Sequence, residues 1–387
     1  TFDVKIKQKV VDGVTYAYPS RAPKVPNELA GLVTDVAGLG RTLTGTGSAP
    51  ASAPAETDVQ CPGLSEAIAK MVSISGVDTL QSAGIDGKGV TLAVLEVAEV
   101  SQASLDAAKS CSGMAIPPVT STLVGTTQSS DLIPNSSEPV LDVLAASALA
   151  PGLDGIVVYQ FDPYSSMVFP LAAAIGDALA ANGPDVMSTS VGVCEATLMP
   201  GDASIAEWFL AVGAVGGLTT VASSGDTGSS GCAPANQSEA AQYPATSAYA
   251  TAVGGTAVVA GSGGQQQAVW NASGYAGGGA QTSTLPRPWY QSSVPGPSNR
   301  IVPDVSAVAA PTQFPPIPIC IATGCSLQQV GGTSAAAPLV AAGLALVLQD
   351  IRQQRGSQTL RLGLANPVLY SLASGGGSTA LSDVTQG

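Results

Sequence analysis

Four short, mostly apolar runs punctuate the middle of the chain: Val90 to Leu95, Gly155 to Tyr159, Asp185 to Ser190 and Leu218 to Ser223. Each has the length of a strand, and the first is apolar enough to be covered on both faces. Between them, apolar residues recur at helical spacing over Glu138 to Leu149, Met167 to Ala181 and Ala203 to Val212. Strand and helix therefore alternate, which predicts an α/β fold with a mostly parallel central sheet and helices on both faces. Beyond Tyr249 the pattern breaks into short β segments and Gly-rich loops, until a long helix of small residues begins near Ser334. No internal repeat interrupts this order.

The N-terminal region reads differently. Val4 to Tyr18 alternates around Asp12-Gly13, the signature of a hairpin. Leu29, Leu32, Val33 and Val36 then fall at helical spacing, ending at Gly38. From Thr42 to Asp58 the chain is Thr, Gly, Ser, Ala and Pro, apart from Leu43, Glu56 and the final Asp. Such a composition predicts a flexible, protease-accessible linker. The expected organisation is a small piece over 1–41, a linker over 42–60 and a main body over 61–387.

Composition narrows the chemistry. The 387 residues include 14 Lys+Arg against 27 Asp+Glu, a net charge of −13, which argues against a nucleic-acid partner. There is no histidine, so Ser-His-Asp triads, Cys-His dyads and His-held metals are excluded. Catalytic protons must then move through carboxylates, Lys, Tyr or Cys. Charged residues are only 11% of the chain, so few ion pairs would be lost on acidification, and the composition suits acid. Six cysteines, none in C-x-x-C spacing, predict disulfides in an oxidising compartment: Cys320–Cys325, and with weaker sequence support Cys194–Cys232 and Cys61–Cys111. The apolar stretch Ala335 to Leu348 contains Pro338 and Gly343 and is too short to span a bilayer, so no membrane association is expected. The start at Thr1, with no signal peptide, is read as a processed form.

The sharpest local signal is Gly331-Gly332-Thr333-Ser334-Ala335-Ala336-Ala337-Pro338. It places a hydroxyl at a helix N-terminus, where the dipole favours developing negative charge, with Pro338 expected in the first turn. The segment resembles the nucleophile motif of subtilisin-like serine peptidases, which use a histidine base that is missing here. Glu138 and Asp142, four apart on one helix face, are the candidate replacements. Two close carboxyls share a proton, so Glu138 can accept one from Ser334 while Asp142 orients it. Asp226, in Ser223-Ser224-Gly225-Asp226 directly after a buried strand, is a candidate donor to an oxyanion if it stays protonated. Carboxylate reference values with modest upward shifts put the working window at about pH 3–5.

Together these residues resemble the sedolisins, or serine-carboxyl peptidases. The patterns E-x-x-x-D, S-S-G-D and G-T-S-x-x-x-P occur in order as Glu138/Asp142, Asp226 and Ser334, with supporting matches at Leu92 to Glu96, Ser190 to Glu195, Val253 to Thr256, Pro303 to Ala307 and Asn366 to Tyr370. The resemblance implies a subtilisin-like fold and a secreted, monomeric, acid-acting endopeptidase or tripeptidyl peptidase of peptide or protein substrates. It also implies a self-processing precursor, with residues 1–41 as the tail of an inhibitory pro-domain. It further implies calcium near the C-terminus. Asp383-Val384-Thr385-Gln386-Gly387 matches the opening of that site, offering the Asp383 carboxylate and Val384 carbonyl, without the second aspartate. Two alternatives compete. Asp226-Thr227-Gly228 also matches pepsin-like aspartic proteases, but no second Asp-Thr-Gly or Asp-Ser-Gly occurs. The other is a non-catalytic secreted protein on a peptidase fold.

Overall fold

The computed structural model describes residues 5–11, 14–21, 24, 41–42, 61, 63–180, 182–198, 200–231, 239–261, 264–272, 274–321, 324–374 and 381–386. Its centre is an eight-stranded sheet. From one edge the strands run Val119–Leu123, Gly155–Gln160, Thr91–Glu96, Val186–Thr189, Thr219–Ser223 and Thr251–Gly261, every neighbouring pair parallel. The long last strand also pairs in parallel with Val305–Val308 and antiparallel with Gly264–Val269.

Alternation along the strands feeds two cores. Leu92, Val94, Ile156 and Val158 face a layer built on the helices Glu138–Leu149 and Thr333–Arg355, with Leu64–Ile74 and Gln102–Ser112 outside them. Ala93, Leu95, Tyr159 and Met187 point the other way, onto Val168–Ala178 and Pro200–Val215. Helices thus cover both faces, as the pattern predicted. Each fully buried Leu or Val contributes about 1.5–3 kcal/mol, and Leu92, Val94, Leu141 and Leu346 are all sealed from solvent. The helix Glu138–Leu149 is buried along its whole length after Glu138, because the sheet and Thr333–Arg355 enclose it. That enclosure explains its continuous apolar sequence.

The helix Thr333–Arg355 has 23 residues and by length and composition alone could cross a membrane. Most of it is buried in the first core, however, which marks it as a core helix. Pro338 lies inside this helix, not in its first turn as expected, because the helix already starts at Thr333.

Ile6–Val11 and Val14–Pro19 pair antiparallel as expected, with Val11 opposite Val14; the Asp12-Gly13 turn lies outside the described residues. Arg41–Thr42 adds a third strand, Thr42 pairing with Tyr16. The helix expected over Leu29 to Val36 and the linker beyond Thr42 lie outside the described residues. The Cys61–Cys111 and Cys320–Cys325 disulfides are present, with Cα atoms 5.4 and 4.0 Å apart. Cys194 is also disulfide-bonded, and its expected partner Cys232 lies outside the described residues.

Candidate active site

The sequence-predicted groups converge where the parallel strands end at their C-termini, the usual place for a site in such a sheet. Ser190 directly follows Val186–Thr189, and Asp226 follows Thr219–Ser223 by one tight turn. Ser334 is the second residue of Thr333–Arg355, and Glu138 is the first residue of Glu138–Leu149. Pro139 suits the start of that helix, where its missing N–H would have no helical partner anyway.

The Ser334 hydroxyl faces the Glu138 carboxyl, close enough to act on its pKa. Burial is the main cause that lifts Glu138 from 4.5 to about 7; the nearby Asp226 charge also raises it, and the Ser334 hydrogen bond opposes both. That value puts Glu138 above the pH 3–5 window expected from reference values, since burial at the helix N-terminus exceeds the modest shift assumed there.

Asp142 is fully buried. Burial and the Glu138 charge push its carboxyl well up, while hydrogen bonds from Ser190 and Glu96 act the other way. Its hydrogen-bonding partner is therefore Ser190, with the Glu96 carboxyl as a close neighbour; Glu138 acts on it through charge. The Ser190 hydroxyl is 2.9 Å from each Asp142 oxygen and 3.2 Å from the Ser334 carbonyl oxygen. This carbonyl is available because of Pro338. A proline in a helix interior cannot donate to the carbonyl four residues back, which here is Ser334, and Ser190 approaches that oxygen instead.

Glu96 closes the strand Thr91–Glu96 and is also completely buried. Neither of its oxygens reaches a fixed donor in hydrogen-bonding geometry, and its polar neighbours are the Asp142 carboxyl and the Val97 N–H. Burial first, then the charges of Asp142 and Glu138, push it well above the usual carboxylate range. Two carboxyls in contact bond only when one keeps its proton. The pair therefore shares one proton between them.

Asp226 stands across from Glu138. Its Oδ1 accepts from the Thr333 N–H at 2.7 Å and the Thr333 hydroxyl at 2.8 Å. The Gly225 N–H in turn donates to the Thr333 hydroxyl oxygen at 3.1 Å. Burial raises the Asp226 pKa, and the two Thr333 bonds oppose it. Close backbone approach requires glycine at 332: its φ is +104°, and a Cβ there would lie 2.4 Å from Asp226 Oδ2. The turn carrying Asp226 is fastened by the Ser224 hydroxyl, which donates to the Val253 and Gly278 carbonyls.

Three of these residues were not assigned roles from the sequence: Glu96, Ser190 and Thr333. Glu96 and Ser190 sit at C-terminal ends of parallel strands, the same signal that singled out Asp226. The expected metal ligands do not join the cluster. Asp383 is exposed, its segment held where the Val269 N–H donates to the Gln386 carbonyl at 2.6 Å. Among the described residues no group of three or more Cys, Asp or Glu is placed to hold a metal ion through its side chains. A calcium ion takes six to eight oxygens, backbone carbonyls among them; Asp383 and Val384 offer one carboxylate and one carbonyl, and residues 375–380 beside them lie outside the described residues.

The profile of the subtilase family matches residues 118–365. Kumamolisin from Bacillus sp. (strain MN-32) is 32% identical over 320 residues, which are 79% of this chain and 54% of kumamolisin. Sedolisin from Pseudomonas sp. (strain 101) is 32% identical over 198 residues, 48% of this chain and 33% of that protein. The chain thus spans about half the length of kumamolisin. A solved structure of Pseudomonas sedolisin, a serine-carboxyl proteinase complexed with two molecules of pseudo-iodotyrostatin, superposes with a TM-score of 0.69. It shares 26% identity and covers 83% of this chain and 88% of that one.

Proposed function

The chain belongs to the subtilase family and, within it, to the sedolisins, and from that premise we propose that it is a serine-carboxyl peptidase that hydrolyses peptide bonds in acid. The observation that carries the proposal is the Ser334 hydroxyl facing a largely covered Glu138 carboxyl in a chain without histidine. Ser334 Oγ attacks the scissile carbonyl carbon while its proton passes to Glu138. The carbonyl oxygen gains the electron pair and takes a hydrogen bond from protonated Asp226. Collapse of this intermediate expels the amine, which leaves with the proton held by Glu138. Water then repeats the sequence on the acyl-serine, with Glu138 as base, and returns Ser334 to its starting state. Asp142, held by Ser190, is coupled to Glu138 through charge, so the protonation of one carboxyl sets how readily the other takes the proton as the bond breaks.

The productive state has Glu138 ionised and Asp226 protonated, a single proton between two acids. When both are protonated Ser334 has no base, and when both are ionised the oxyanion meets a negative charge. Activity is therefore confined to a window whose two edges belong to the coupled pair, and burial of both carboxyls moves that window up from the ordinary carboxylate range. The parallel α/β sheet separates this site from the two β-rich lobes of a pepsin-like protease.

Cleavage acts on peptide or protein substrates, as an endopeptidase or by release of tripeptides. Residues 1–41 act as the tail of the pro-domain, and self-processing cuts within 42–60. The disulfides fit secretion into an oxidising compartment, and the protein works as a monomer. In a test with a peptide substrate at acid pH, Ser334→Ala should fold but lose hydrolysis, and a peptide aldehyde should bond covalently to Ser334 Oγ in the unaltered protein. Hydrolysis that survives in Ser334→Ala would overturn the proposal.

A further inference from the structure

We propose that Thr333 is a positioning residue for Asp226: by occupying Oδ1 with two hydrogen bonds, it assigns the carboxyl proton to Oδ2, the oxygen left to meet the oxyanion. The inference rests on the peptidase reading above and adds a residue that acts through Asp226.

The geometry is closed on one side of the carboxyl. Oδ1 receives the Thr333 N–H at 2.7 Å and the Thr333 hydroxyl at 2.8 Å. The hydroxyl cannot turn round, because its own oxygen is the acceptor for the Gly225 N–H at 3.1 Å. A chain of donors therefore runs from Gly225 through Thr333 to Oδ1, and an oxygen that accepts two hydrogen bonds is the carbonyl-type oxygen of an acid. The proton belongs on the other one. Oδ2 lies against Gly332, where even a methyl group would come within 2.4 Å. Thr333 itself is buried, at 1% exposure, so solvent does not compete for its hydroxyl.

The same two bonds carry an electrostatic consequence. Donors on a carboxylate favour its charged form, so Thr333 works against the burial that keeps Asp226 protonated. The titratable group facing Asp226 is Glu138, on the helix across the pocket, and its charge acts in the opposite sense to Thr333. Thr333 thus trades proton affinity for proton placement: Asp226 holds its proton less tightly, but on the oxygen that can use it.

The test is the titration of Asp226, followed by 13C NMR in protein labelled at aspartate carboxyl carbons and assigned by the signal missing from Asp226→Asn. Thr333→Val keeps the backbone donor and removes the hydroxyl. A hydrogen bond to a charged acceptor exceeds one to a neutral acceptor by enough to raise the midpoint by about one pH unit, a roughly tenfold change in dissociation constant. Thr333→Ala should show the same rise, and Thr333→Ser, which keeps the hydroxyl, should restore the original midpoint. A midpoint that stays put or falls in a folded Val or Ala variant overturns the inference. Should neither fold, the unaltered protein still decides. The Thr333 hydroxyl proton should be slow to exchange and shift with the Asp226 midpoint, and a hydroxyl signal insensitive to that midpoint is equally fatal. These readouts need no turnover. Failure of the unaltered protein to cleave peptides would remove the peptidase reading, and with it the oxyanion role of Oδ2, whatever the titration gives.

Discussion

Replacing Glu138 with glutamine should change how the fold responds to pH, and the size of the change follows from the site. A carboxyl raised from 4.5 to about 7 binds its proton more tightly in the folded chain than in the unfolded one. Below about pH 4.5 both states are protonated and the stabilisation is fully present. As pH climbs towards 7, the unfolded chain releases a proton that the folded chain still holds, and stability falls. Above 7 this group causes no further change. At ~1.4 kcal/mol per pH unit, the loss across that interval is about 3 kcal/mol. This is an upper figure for Glu138, which is partly covered rather than sealed. Glu96 and Asp142 are displaced in the same direction and add to the loss. Against a typical total of ~5–15 kcal/mol, this is a substantial part of the fold's stability. The measurement is guanidinium unfolding between pH 4 and 7.5, followed by the fluorescence of Trp208, Trp270 and Trp289, in a Ser334→Ala background to prevent self-digestion. The parent should weaken steadily towards neutrality. Glu138→Gln should weaken less, both because its own titration is gone and because its charge no longer pushes on Asp142 and Glu96. A parent whose midpoint is flat or rises over this interval would refute the reasoning, as would a glutamine variant that parallels it.

Asp226→Asn should keep the Thr333 bonds on Oδ1 and place an N–H where Oδ2 carried its proton. Its pH–rate profile should lose the descending alkaline limb, leaving a single rise set by Glu138, and a limb that persists would remove Asp226 from the titration. Gly332→Ala should fold but lose about a hundredfold or more in kcat, since the added methyl must displace Asp226 Oδ2; near-normal turnover would mean the close approach is not needed. Arg300 is fully buried and paired with Asp304 at 2.6 Å. Arg300→Met should therefore cost about 3–5 kcal/mol by stranding the carboxylate, read as a large drop in thermal midpoint, and an unchanged midpoint would contradict that.

Much of this architecture is legible in the sequence where local signals agree with the tertiary outcome. Glu138 to Leu149 was delimited by its apolar pattern and is observed over the same residues. The strands Thr91–Glu96 and Thr219–Ser223 match their expected positions within a residue. Val119–Leu123 was not anticipated. Its Thr-rich sequence is largely solvent-exposed at the sheet edge and lacks the apolar run used to find the others. The helices Leu64–Ile74 and Gln102–Ser112, which form an outer layer, were not anticipated either. At the site, motif order singles out Ser334, Glu138, Asp142 and Asp226 as candidates, and the structure places them near the C-terminal ends of the parallel strands. What one-dimensional spacing could not give is partnership. Four-residue spacing pairs Asp142 with Glu138, whereas the hydroxyl bonded to it is that of Ser190, 48 positions away along the chain, and its other carboxyl neighbour, Glu96, is 46 positions away. Likewise, Pro338 looked like a first-turn residue because the start of its helix cannot be fixed to one residue from sequence.

Pro338 also bears on how such a protein should be engineered. Stabilisation schemes commonly remove prolines from helix interiors, and Pro338→Ala would restore the missing hydrogen bond in Thr333–Arg355. Here, however, the restored N–H would compete with Ser190 for the Ser334 carbonyl, the point at which the nucleophile's backbone meets the strand end that also holds Asp142. A change that improves the helix in isolation would loosen its tie to the acid beside it. Pro338 is therefore a position where thermostability and turnover should be selected together, and where gains in melting temperature alone would mislead.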